Sequence, residues 1–207
     1  MADRITITYF MEDVAQEAFI RSIVQRIAEE EGIGGFSSDV RCARGGYRAI
    51  GEFRSFVEEY ARLLWAPNRM LVVARDSNCM KYNQRLKEMK APLTDSGLGS
   101  DDRVVFALPD PHIERWYVAD QRAFNEVIGP NTAPPMPRKK CGKNSWKSIL
   151  QKSLMDAGIK SRSGGSEYGG SIAAVVNTDD LGKADSSFKK FADSLRRAFK
   201  LVRSVSK

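Results

Sequence analysis

The stretch Met70-Leu71-Val72-Val73-Ala74-Arg75-Asp76-Ser77-Asn78 decides the fold. Residues 70–74 are a continuous apolar run bounded by turn signals, the pattern of a central parallel strand covered on both faces. In sheets of that kind ligands gather beyond the carboxyl ends of the strands. Asp76 and Asn78 stand at that position.

The flanking sequence supplies the rest of a strand–helix alternation. Residues 4–10, RITITYF, alternate apolar and polar with β-branched residues, which predicts a strand. From 13 to 31 the residues Val14, Ala18, Phe19, Ile23, Val24, Ile27 and Ala28 recur at helical spacing. Asp13 suits its N-cap, with Gln16 completing a capping-box-like pair. Residues 36–43 form a weaker strand candidate. A second helix runs to about Trp65 and ends at Pro67. A short helix is expected over 80–89 and a loop around 92–100, then a strand at 104–106. A helical stretch holding Ile113, Trp116, Tyr117, Phe124 and Val127 follows. The pattern predicts an α/β domain with a mainly parallel sheet flanked by helices. Residues 129–137 carry four prolines and mark the boundary between a core, 1–128, and an extension, 138–207. In the extension a basic helix is expected at 145–157, a Gly/Ser-rich loop at 161–171, and a final helix at 187–202.

Charge divides at the same boundary. The formal net charge of +7 comes from 17 basic and 20 acidic residues before position 138, and 16 basic and 6 acidic from there on. An acidic front and a basic back suggest carboxylate chemistry in one part and polyanion contact in the other. The 207 residues include one histidine, His112, and three cysteines, Cys42, Cys79 and Cys141, without a C-x-x-C. A zinc site built from several histidines or four thiolates is excluded. The sparse, odd cysteine set suggests a reducing compartment rather than a disulfide framework. No G-x-S-x-G elbow and no phosphate-binding P-loop are present. No apolar run is long enough to span a bilayer, and the chain reads as cytoplasmic, with no membrane partner.

The ends of the strands collect acids: Glu12, Asp13 and Glu17 after the first, Asp76 and Asn78 after the third, Asp110 and Glu114 after the fourth. Oxygen ligands from separate segments assemble a Mg²⁺ or Mn²⁺ site. Such an ion polarises a phosphate or activates water. The same residues have plainer readings. Asp13 and Asp76 can cap helices, and Glu17 and Glu114 can be solvated helix residues. Trp116 reads as core, and His112 as an ordinary loop residue.

FMEDVAQEAFI (10–20) resembles the first Toprim motif, a strand ending in a glutamate with a second glutamate on the next helix. LVVARDSN (71–78) resembles the second, an apolar strand ending in Asp-x-Asp. LPDPHIERWYVAD (108–120) is similar to a segment of small Toprim-like proteins in which an acidic residue precedes a tryptophan by two. The tail from Gly164 resembles the ending of one such family, mostly of unknown function, related to RloB-like proteins and more remotely to overcoming-lysogenization-defect (OLD) nucleases. Its members are often encoded beside an ATPase in bacterial defence operons.

The resemblance implies a metal-dependent nuclease, cleaving DNA or RNA in antiviral defence with an ATPase partner. Glu12 would be general acid/base or metal ligand, Asp76 the central ligand, and Glu17 the second glutamate. Two departures matter. Asp13 replaces the usual glycine, and Asn78 stands where a second aspartate is usual and brings no charge. Glu114 or Asp110 would have to compensate; if neither reaches the ion, the site is catalytically dead. Glu12, Asp76 and Glu114 are thus the expected catalytic residues, and Glu12, Glu17, Asp76 and Asn78 the expected metal ligands. Arg138, Lys139, Lys140, Lys143 and Lys147, close to Trp146, have the composition of a phosphate-contacting segment with a stacking aromatic. The competing expectation is a non-catalytic module that docks an ATPase or nucleic acid, with the acids only shaping the fold. Either reading is compatible with an oligomer.

Overall fold

A computed structural model describes residues 5–44, 48–137, 141 and 145–205. Strands β1 (Thr6–Met11), β2 (Ser37–Cys42), β3 (Arg69–Ala74) and β4 (Val104–Ala107) form one sheet in the order β2-β1-β3-β4. Every pairing is parallel, with Thr6 opposite both Ser37 and Arg69, and Leu71 opposite Val104. The apolar run at 70–74 does form an inner strand, because only a site flanked by strands and covered on both faces buries all of it. Edge strand β2 has a polar, half-exposed sequence to match its place.

The parity of the strands divides the core. Ile7, Tyr9, Met11, Met70, Val72 and Ala74 face helices α1 (Glu17–Glu30), α4 (Ile113–Ala119), α5 (Gln121–Ile128), α6 (Ser145–Asp156), α7 (Gly169–Val175), α8 (Thr178–Ala184) and α9 (Ser186–Val205). Phe10, Leu71, Val73 and Phe106 face α2 (Ala49–Leu64) and α3 (Tyr82–Asp95). The described helices of the extension contribute Trp146, Leu150, Ile172, Phe188, Phe191 and Phe199 to the same apolar cluster as the sheet.

Three local expectations are corrected. Helix α3 does not stop at 89; it continues through Pro92 to Asp95, because burying Met89, Pro92 and Leu93 outweighs the lost backbone hydrogen bond. The stretch after β4 is two helices, broken at Asp120, whose Oδ1 accepts the Ala123 amide and caps α5. The expected loop at 161–171 instead contains a turn of 3₁₀ helix, Ser166–Tyr168, and the start of α7. Gly169 sits there because a Cβ would lie 2.6 Å from the Tyr117 hydroxyl oxygen. No described helix is long and apolar enough to cross a membrane.

Candidate metal centre

The sheet ladder continues past its strands and builds the site. The Arg75 amide donates to Ala107 O, Ser77 to Pro109 O and Asn78 to Pro111 O, at 2.9–3.0 Å. These bonds lay residues 75–78 alongside 107–111. The start of α4, with His112 and Glu114, is thereby carried to Asp76.

Asp76 is buried and its carboxylate is the hub. Oδ1 accepts from Gln16 Nε2 and from the Ile113 amide, each at 3.0 Å. Oδ2 lies 3.2 Å from His112 Nδ1. Beside it, Glu12 Oε2 accepts the Asp76 amide at 3.0 Å, and Glu12 Oε1 is 3.9 Å from Arg75 Nε. Ligand atoms of Asp76, His112 and Glu114 all lie within 4.8 Å of one another.

The electrostatics follow from burial and crowding. Burial, then the charge of Asp76, pushes the Glu114 carboxyl above the usual carboxylate range. The same two causes push Glu12 up, against the Asp76 amide and Arg75. The hydrogen bond to Asp76 raises the His112 imidazole, against its partial burial. Glu114 Oε2 and Gln16 Oε1 are buried acceptors without a hydrogen-bond donor. A cluster that crowds carboxylates and strands acceptors fits a cation. Its donor set of one imidazole and two carboxylates suits a divalent ion and leaves coordination positions for water or substrate.

The expected residues divide. Asp76 and Glu114 are brought together; Glu12 is adjacent and buttresses the Asp76 backbone. Glu17 is committed elsewhere, to Arg21 at 2.8 Å and the Cys42 thiol at 3.9 Å. Asn78 is exposed, in the left-handed region at φ 49°, with Nδ2 3.5 Å from the Asp76 carbonyl. Its side-chain amide thus turns toward its own backbone. Asp110 is likewise outside the group.

Two residues escaped the sequence reading. His112 lies at the hub rather than in an indifferent loop, so an imidazole nitrogen stands among the atoms that could hold an ion. Gln16 does not close a capping box: Asp13 Oδ1 accepts the Ala15 and Gln16 amides alone, while the Gln16 side chain reaches Asp76. A glutamine among the acids that follow a strand was the available signal for the second; nothing local marked the first.

In the basic segment Arg138, Lys139, Lys140 and Lys143 lie outside the described residues. Lys147 is exposed and its Nζ is 4.0 Å from Glu114 Oε1, at the rim of the cluster. Trp146 is no stacking platform. It is 1% exposed, with the Arg115 guanidinium 5.0 Å from its ring, because α6 turns it into the core. The cysteine expectation is also corrected: Cys79, in the loop after Asp76, is disulfide-bonded to Cys141, with Cα atoms 5.6 Å apart. The two lie 62 positions apart, so spacing could not reveal the pair. No family model, curated protein or solved structure matches the chain.

Proposed function

We propose that this chain is a divalent-metal-dependent phosphodiesterase of Toprim type acting on nucleic acid. The observation that supports it best is the convergence of Asp76, His112 and Glu114 at the carboxyl ends of β3 and β4, with two buried acceptors left undonated. Asp76, Glu114 and a His112 ring nitrogen would hold the ion. Mn²⁺ suits an imidazole-containing set better than Mg²⁺, which favours oxygen alone. Bound there, the ion supplies Lewis acidity to a phosphate and acidifies water.

The chain's own residues supply the rest. Glu12, its carboxyl pushed up by burial and by the charge of Asp76, is placed to exchange a proton beside Asp76. Lys147 offers an exposed ammonium to a phosphate backbone at the rim. A role in antiviral defence beside an ATPase rests on the sequence resemblance alone.

The test is cleavage of plasmid DNA, single-stranded DNA and transfer RNA with Mn²⁺ or Mg²⁺ against chelator. Asp76→Ala and Glu114→Ala should abolish cleavage. Cleavage that survives both would remove the site. No cleavage under any condition, with or without a partner ATPase, would favour the second reading, a non-catalytic docking module. One observation favours that module: both Asp76 oxygens already have protein partners, as in a purely structural carboxylate.

A further inference from the structure

The orphaned atoms around residues 75–77 sort by chemistry. On the Asp76 side they are acceptors. On the other side of the strand end, against α3, they are donors: Arg75 Nε, Arg85 Nε and Ser77 Oγ are all buried without a hydrogen-bond acceptor. Arg75 and Arg85 keep only 8% and 6% of their side-chain surface, and Ser77 none. Arg85 Nη2 donates to the Ser77 carbonyl at 3.1 Å, which ties Arg85 to the strand end that carries Arg75.

Two guanidiniums in so dry a place require compensation. One carboxylate bridges them. Glu88 Oε1 lies 3.3 Å from Arg75 Nη1, and Glu88 Oε2 pairs with Arg85 Nη1. Glu12 helps little, at 3.9 Å from Arg75 Nε and with its other oxygen on the Asp76 amide. Glu88 is also the one member on the solvent side, its side chain 32% exposed on a flexible stem. It occupies the place between two forks that a tetrahedral oxyanion would fill, with fewer oxygens than the donors can serve.

We propose that Arg75, Arg85 and Ser77 form a phosphate-binding subsite of which Glu88 is the internal occupant. A phosphate group displaces the Glu88 carboxylate to solvent and takes the guanidinium donors that Glu88 holds together with those it leaves unused. That this phosphate belongs to a nucleic-acid substrate rests on the function proposed above; the anion binding itself does not.

The experiment titrates inorganic phosphate into the full chain, with chelator present, by calorimetry and thermal unfolding. Wild type should bind saturably. Removing the internal competitor with Glu88→Gln should tighten binding, and Arg85→Gln should weaken it, each by about tenfold, the worth of one charged hydrogen bond. Glu114→Gln, in the metal cluster, should leave it unchanged. A weak, unsaturable effect equal in all four proteins would mean an adventitious ion only and would overturn the subsite. Should Arg85→Gln not fold, phenylglyoxal modification of wild-type Arg75 and Arg85, mapped by mass spectrometry, replaces it. Phosphate should slow that modification, and equal rates with and without phosphate would overturn the proposal. Metal-dependent cleavage without phosphate binding removes the subsite alone; phosphate binding without any cleavage removes only the nuclease reading.

Discussion

The Nδ1 atom of His112 lies 3.2 Å from Oδ2 of Asp76, across 36 positions of the chain. The pairing joins the segment after β3 to the segment after β4, and it places the single imidazole of the protein within reach of the Asp76 and Glu114 carboxylates. With the ring protonated, the contact is an ion pair; with an ion bound, the imidazole must be neutral.

His112→Ala should therefore weaken Mn²⁺ binding by roughly 10–100-fold, the usual cost of losing a group that binds or orients at a metal. Calorimetric titration of the metal into folded protein checks it. Unchanged affinity would leave His112 as a mere partner of Asp76.

Glu114 gives a pH dependence with a definite sign. Its folded pKa is raised, so its contribution to stability is complete below the unfolded carboxylate pKa and is lost as pH rises through the folded value. Above that value the ionised, buried carboxylate is a cost. Glu114→Gln should raise the melting temperature of the chelated protein at pH 7 by a few degrees. The difference should vanish near pH 4, and the variant should gain less from added Mn²⁺. Calorimetric melts between pH 4 and 8 decide this; a variant less stable at pH 7 without metal contradicts it.

Asp185 anchors the helix that carries Glu114. It is fully buried, pairs with Arg115, and accepts from Trp116 Nε1, the Ser187 and Phe188 amides and the Ser187 hydroxyl. Asp185→Ala leaves the Arg115 guanidinium uncompensated and should cost about 3–5 kcal/mol, the range for breaking one side of a buried pair. Urea unfolding measures it. A loss near zero would mean that water reaches Arg115.

Gly169→Ala tests the approach of α7 to the core. Its Cβ would meet Tyr117 Oη at 2.6 Å and Cζ at 2.8 Å, and that hydroxyl donates to Ala15 O at 3.0 Å. The tyrosine is packed on all sides, so accommodation should cost about 1–3 kcal/mol. Equal thermal stability of the variant would show that α7 can move outward freely.

Much of the scaffold was legible because its signals are local. The five apolar residues before Arg75 specify an inner strand wherever they occur, and the spacing of Phe19, Ile23 and Ile27 specifies one face of a helix. Pro92 misled for the same reason: a propensity is local, while the apolar surface that α3 covers is not. Residues 161–171 read as a Gly/Ser-rich loop, since nothing nearby in the chain announces that Tyr117 will lie against Gly169.

The sequence by itself determined the strand–helix order, the parallel sheet and the acids at its carboxyl edge, since periodicity and strand-end position are properties of short segments. Only the tertiary structure decided which of those acids meet. The ladder from 75–78 to 107–111 brings His112 and Glu114 to Asp76, while Glu17 pairs with Arg21 and Asn78 turns back on its own backbone. It also set two guanidiniums against one carboxylate behind the same strand end. Convergence depends on register and helix docking, and these are fixed by burial summed over the whole core rather than by any segment within it.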